Sequence, residues 1–133
     1  MINRVEKLSL LSEMIAFAQK DDNIKSIEHN FLLSIARQLE ISDSDFNYLF
    51  QYPVTYVNLK SHSERIVQFH RLILLMNLDY KVSSKQLVKI HNFGLRMGLS
   101  QDAINRVLDL MDSFPNKIVP PDFLIDIFKV QYN

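Results

Sequence analysis

The stretch of this 133-residue chain richest in metal-capable chemistry is Asp21-Asp22-Asn23-Ile24-Lys25-Ser26-Ile27-Glu28. Asp21, Ile24 and Glu28 stand at the spacing of positions 5, 8 and 12 of an EF-hand calcium loop. The rest of that loop is missing. Its first and third ligands would be Phe17 and Gln19, and Asp22 stands where the sharp turn needs glycine. A second stretch, Asp79, Val82 and Gln86, supplies even fewer carboxylates. An EF-hand is therefore excluded. What survives is a set of hard oxygen ligands, Asp21, Glu28 and Asp79, which a two-fold arrangement of the chain would bring together around Mg²⁺ or Ca²⁺. The competing reading is structural. Asp suits the turn after a helix, and Glu in a first helical turn is favoured by the helix dipole by about 0.3–1 kcal/mol.

Other reactive constellations are absent. The histidines, His29, His62, His70 and His91, form no HExxH and no close His–His pair. His70 and His91 lie inside apolar periodic segments and read as satisfied core or boundary residues. No cysteine occurs, which removes disulfides, thiolate metal sites, Fe–S clusters and cysteine nucleophiles. Gly94 and Gly98 are the only glycines, too few for a phosphate-cradling loop, and there is no G-x-S-x-G. No catalytic role and no organic cofactor are expected. Two surface features are open to two readings each. Lys81, Lys85, Lys89 and Arg96 form a partly helical stripe, either a solvated face or a contact for phosphate or an acidic partner. Tyr48, Phe50, Tyr52 and Tyr56 cluster near residues 52–60, either packing that segment onto the core or lining a partner groove.

Charge narrows the partners. Fifteen basic and fifteen acidic side chains cancel, and they are spread evenly along the chain. A nucleic-acid surface needs clustered cations to displace counterions, so none is expected. No uninterrupted apolar run is longer than Leu72–Met76, which is far short of the ~20 residues a membrane span requires. Glu6 and Glu13 interrupt the apolar N-terminal stretch, unlike the central region of a signal peptide. A cytoplasmic location is the expectation.

The elements that must position these residues read as helices. Two glycines and four prolines are too few for a turn-rich β fold. Asn3 with Glu6, Ser42 with Asp45, Ser61 with Glu64 and Ser83 with Gln86 look like helix starts, and Ser26 and Ser100 like further caps. Val5, Leu8, Leu11, Ile15 and Ala18 form one stripe; Ile27, Phe31, Ile35 and Leu39 form another. Leu72–Met76 is apolar all round, which marks a central helix. Gly98 suits the left-handed position after a helix. Pro120 and Pro121 suit a first turn, opening a C-terminal helix over about 120–131. Residues 52–60 look extended but too isolated for a sheet. The expected fold is all-α, a single domain over 1–133 with six or seven helices in a compact bundle.

Sliding the chain by 58 residues aligns positions 8–50 with 66–108 without a gap. Only five of the 43 pairs are identical, so the matched punctuation carries the weight: Asp21 with Asp79, Ile24 with Val82, Ser26 with Ser84, and Ile41-Ser42 with Leu99-Ser100. Repeats over about 4–51 and 62–113 would pack as two halves about a pseudo-two-fold axis.

The segment LLSEMIAFAQKDDNIKSIEHNFLLSIARQLEISDSDF resembles the TerB-like family, named for a tellurite-resistance protein. The family's hallmark is similar to Asp-Gly-x-Ile/Val-x-x-x-Glu followed by a helix ending in Leu-Gly-Leu-Ser. The first copy here supplies Asp21, Asp22, Ile24, Glu28, Leu39, Glu40, Ile41 and Ser42. The second supplies Asp79, Tyr80, Val82, Gln86, Met97, Gly98, Leu99 and Ser100. The resemblance covers about residues 4–113. It implies an all-helical duplicated domain, a non-catalytic role linked to stress responses, and protein assemblies near the inner face of the membrane, with peripheral association. It also implies a metal site, which falls on Asp21, Glu28 and Asp79. The fourth position is Gln86, and Asp22 and Tyr80 replace the motif glycines. The functional expectation is a small module that binds another protein, with divalent-metal binding as the alternative.

Overall fold

Five of the helices follow a residue, Asn3, Ser42, Ser61, Ser83 or Ser100, whose side-chain oxygen accepts an N–H of the first turn. The computed structural model describes residues 2–20, 23–78 and 82–132. These form seven α-helices and two short 3₁₀ turns, with no strand among the described residues. The chain is all-helical, as its few glycines and prolines imply, and divides into two compact units, Met1–Leu59 and Lys60–Asn133.

The first unit contains α1 (Arg4–Ala18), α2 (Ser26–Gln38) and α3 (Asp43–Leu49), each packed against the other two. Its core is Leu11, Met14, Leu32, Ala36 and Phe46, all fully buried. An extended segment follows α3 and ends at buried Leu59.

The second unit contains α4 (His62–Met76), α5 (Ser84–Arg96), α6 (Gln101–Leu110) and α7 (Pro121–Tyr132), with the 3₁₀ turns Met111–Ser113 and Pro115–Lys117 between the last two. Its four helices form a ring in which α4 meets α5, α5 meets α6, α6 meets α7 and α7 meets α4. Leu72, Ile73, Leu75 and Met76 are all buried, consistent with a helix that is apolar on every side.

The same local devices recur 58 residues apart. Arg4 and His62, Ser26 and Ser84, and Asp43 and Gln101 each open a helix. α1 and α4 both have 15 residues, and α2 and α5 both have 13. The ends of α2 and α5 match bond for bond. Ile41 N–H donates to Ala36 O at 2.9 Å and Glu40 N–H to Arg37 O at 3.0 Å; Leu99 N–H donates to Gly94 O at 3.1 Å and Gly98 N–H to Leu95 O at 2.9 Å. This is the Schellman closure, which puts the residue after the cap in the left-handed region. Gly98 sits there at φ 81°, as its sequence position suggests. Its counterpart Glu40 adopts φ 60° with a side chain that disfavours it. Glu40→Gly is accordingly expected to stabilise the protein by about 1 kcal/mol in urea unfolding, the relieved strain exceeding the added chain entropy.

Two sequence expectations are corrected by packing. The buried side of α2 is Glu28, Leu32, Ile35, Ala36 and Leu39, so Ile27 is exposed where the apolar spacing placed it inward. α1 is buried over most of its circumference from Ser9 onward instead of along one stripe, while Val5 is exposed. A third correction concerns the start of α2. Ser26 is its first residue and not its cap; Lys25 occupies the cap position and offers no side-chain acceptor there.

Candidate functional site

The loop between α1 and α2 is closed by a reciprocal backbone pair, Lys20 N–H to Asn23 O at 3.0 Å and Asn23 N–H to Lys20 O at 2.9 Å. Asp21 and Asp22, between them, lie outside the described residues, as does Asp79. Of the proposed metal ligands only Glu28 is described. It is buried in the first turn of α2, and its Oε1 accepts the Lys25 N–H at 3.2 Å. Gln86, its counterpart 58 residues on, is equally buried, and its Oε1 accepts the Ser83 N–H at 3.0 Å. Glu6 does the same for Asn3 at 3.1 Å. All three are the reaching-back half of a capping box, a bond that needs an acceptor oxygen and no charge. That accounts for an amide at the second position. Among the described residues no three His, Asp or Glu side chains gather in a way that could hold a metal ion.

The capping role is separable by substitution. Glu28→Gln should leave urea stability within about 0.5 kcal/mol, since the amide oxygen keeps the bond, while Glu28→Ala should cost about 1 kcal/mol by orphaning the Lys25 N–H.

The extended segment after α3 is held by two buried serines of α1. Ser9 Oγ accepts the Val57 N–H at 2.8 Å and donates to Val57 O at 3.4 Å; Ser12 Oγ accepts the Val54 N–H at 3.2 Å. Hydroxyls three apart on one helix face thus satisfy a run of backbone that no strand pairs. Sequence reasoning missed this role, although serines inside an otherwise apolar helix were a visible signal. In the second unit His70, 58 residues after Ser12, plays a comparable part. Its Nε2–H donates to Val119 O at 2.7 Å and ties down the segment leading into α7. His70 is thus a satisfied boundary residue, as its apolar surroundings in the sequence suggest.

His29 lies 5.4 Å from the Phe46 ring and 5.6 Å from that of Phe50, inside the aromatic cluster of the first unit. Burial of the His62 ring at the start of α4, with Arg65 nearby, lowers its pKa below the ordinary 6.5. A histidine whose folded pKa is depressed leaves stability intact above the unfolded value. Stability is lost as pH falls from about 6.5 through the folded value, because the unfolded chain takes the proton more readily. Denaturation midpoints measured between pH 8 and pH 5 should fall in the lower half of that range, and His62→Gln should flatten the decline.

Four aromatic residues near the end of α3 divide into three environments. Phe50 packs edge-on to Phe46 at 5.1 Å and is half-buried. Tyr56 donates its hydroxyl to Asn58 Oδ1 at 3.0 Å. Tyr48 and Tyr52 stack on each other at 4.7 Å with 60% and 58% of their surfaces exposed. Earlier in α3, Asp45 pairs with Arg4 at 2.7 Å and Asp43 with Arg37 at 3.0 Å. The two guanidinium groups hold both carboxyls below their ordinary values. A shallow open groove of about 570 Å³ lies along α2, lined by Asn30, Leu33, Ser34, Arg37 and Gln38. Its one cation, Arg37, is already engaged by Asp43.

The chain matches no family model, no curated protein and no solved structure.

On the second unit, Lys85 and Arg96 of the basic stripe lie on the exposed side of α5, Lys89 is half-buried, and Lys81 is outside the described residues. Arg96 leans over the Phe93 ring at 4.7 Å. No helix is long and apolar enough to cross a membrane among the described residues.

Proposed function

We propose that this chain is a non-catalytic, TerB-like helical module that acts in the cytoplasm by binding another protein through the exposed tyrosine pair at the C-terminal end of α3, Tyr48 and Tyr52. One observation carries the reading. Tyr48 and Tyr52 spend a large aromatic surface on solvent, stacked in a fixed geometry at 4.7 Å. Tyrosines held this way offer contact area at little entropic cost, and aromatic residues are enriched in interfaces and their hot spots. The exposed ion pairs on the same short helix, Arg4–Asp45 and Arg37–Asp43, are suited to a polar rim. The recurrence of caps and helix ends 58 residues apart supports the duplicated TerB-like architecture.

The test is capture of a stoichiometric partner by the wild-type chain and its loss with Tyr48→Ser plus Tyr52→Ser at unchanged melting temperature. Loss of two hot-spot aromatics weakens binding by at least about 30-fold. A partner retained by the double variant, or none captured by the wild type, would refute the reading.

The second reading is a divalent cation held by Asp21, Glu28 and Asp79. It draws on the burial of the Glu28 carboxylate at the end of the loop that carries Asp21. Calorimetry with Ca²⁺, Mg²⁺ and Mn²⁺ decides it. The reading requires heat that disappears in Asp21→Asn plus Asp79→Asn, and it fails if no heat is seen at millimolar metal.

A further inference from the structure

α5 is the one helix of the seven described whose sequence contains no Asp or Glu. Its inner side is Gln86, Ile90 and Gly94. Its outer side carries Lys85, Val88, Asn92, Leu95 and Arg96, with Val88 60% and Leu95 42% exposed. Lys89 stands at the edge of that face. In a protein of zero net charge this one helix gathers three cations on the side that carries Val88 and Leu95.

α7 presents the opposite sign. Leu124, Ile127 and Phe128 are buried, while Asp122, Ile125 and Asp126 face outward, with Ile125 43% exposed. Lys129, one turn later on the same side, reduces but does not cancel the negative charge at the start of the helix. α5 and α7 each pack against both α4 and α6, so they occupy opposite corners of the four-helix ring. Their outer faces point away from each other. Faces arranged this way cannot meet within one molecule, but they can meet between two.

We infer that the chain associates head to tail with a second copy of itself, the basic outer face of α5 receiving the acidic outer face of α7. Lys85 and Lys89 oppose Asp122 and Asp126, both pairs spaced by one helical turn, and Val88 covers Ile125. The contact is heterologous: each molecule uses one face as donor and leaves the other open, so growth continues until a ring closes or the chain of copies ends. Two helices of 12 and 13 residues are under 20 Å long. They bury less than the roughly 1,600 Å² of a standard stable interface. The association is therefore weak, and salt screens it. It uses the second unit only and does not depend on the tyrosine face of α3.

Sedimentation velocity of the full chain, from about 10 μM to about 1 mM, tests the inference at low and at high ionic strength. The weight-average mass should climb with concentration at low salt and return toward the monomer at high salt. Lys85→Glu plus Lys89→Glu should stay monomeric, and so should Asp122→Lys plus Asp126→Lys; these are surface changes whose folding is checked by circular dichroism. Mixing the two variants should restore association in alternating order, because each variant carries faces of the sign the other lacks. All four changes in one chain should restore self-association. A wild type that remains monomeric throughout, association that survives either charge reversal, or a mixture no heavier than its components overturns the inference. Monomeric protein that instead binds anionic vesicles or an acidic amphipathic peptide through α5 overturns it in favour of that occupant.

Discussion

Gly94→Val is expected to lower the free energy of unfolding by about 3 kcal/mol, a large share of the stability of a chain this size. Gly94 lies in the middle of α5, where glycine is otherwise unfavourable by about 1 kcal/mol relative to alanine. Its presence is explained by what faces it. A Cβ at this position would stand 2.6 Å from Ile104 Cδ1, 3.0 Å from Phe69 Cε1 and 3.1 Å from Ile104 Cγ1. Ile104 and Phe69 are themselves fully buried, in an interior that is close-packed. The backbone of α5 therefore approaches α4 and α6 as closely as it does only because the side chain is missing. Gly94→Ala should cost less, about 1 kcal/mol, since one flexible methyl of Ile104 must give way while the helix gains propensity. Valine adds two branches and a stiff χ1 to the same gap. Urea titration with the m-value held constant measures both. A valine variant within 1 kcal/mol of wild type would show that Ile104 can repack, and the close-approach argument would fail. The first unit has Ala36 at the corresponding position, also fully buried. A small residue thus stands at the same register of the second helix in each unit.

Phe46→Ala in the first unit is expected to cost about 3–5 kcal/mol, the range for emptying a fully buried phenylalanine site. Phe46 has no exposed surface. It meets His29 at 5.4 Å with the rings inclined at 65°, and Phe50 at 5.1 Å with the rings at 89°. These are edge-to-face geometries that add about 0.5–1.5 kcal/mol beyond area burial. α3 has only seven residues, too short to be stable without tertiary support. Removing its main anchor should therefore release the helix, and with it the Schellman-closed end of α2 that precedes it. Phe50→Ala, at a half-buried position, should cost less than half as much. Hydrogen exchange of the α3 amides gives an independent readout. If those amides stay protected in Phe46→Ala, the anchoring role assigned to Phe46 is wrong.

Much of the local structure was legible because its cause is local. Ser42, Ser61, Ser83 and Ser100 each accept an N–H three residues on, and Gly98 lies where a left-handed residue closes a helix. Such signals survive because a cap depends on four consecutive residues and little else. The faces of the helices were less legible. Ile27 and Val5 fall on apolar spacings yet are exposed, and Ser9 and Ser12 are polar yet buried. Spacing states which residues share a side, but burial depends on what the rest of the chain lays against that side.

The candidate chemistry divided along the same line. From the sequence, Glu28 and Gln86 looked like an intact and a damaged copy of a metal-ligand position. Their side-chain bonds to Lys25 and Ser83 give both the same structural task, which charge does not enter. The exposed Tyr48–Tyr52 stack had no sequence signature that separated it from the buried Phe46 two residues earlier.

The amino-acid order alone determined that this protein is helical, where most of its helices start and stop, and that much of its punctuation recurs once, 58 residues on. It also excluded thiol chemistry. These follow from the presence or absence of residue types and from backbone preferences acting over one helical turn. Tertiary structure alone decided which serines would hold the extended segment, which glycine would admit a neighbouring helix, and which aromatic and charged side chains would remain facing water. Those outcomes depend on atoms brought together from distant parts of the chain, and short-range patterns do not encode which distant surfaces will meet.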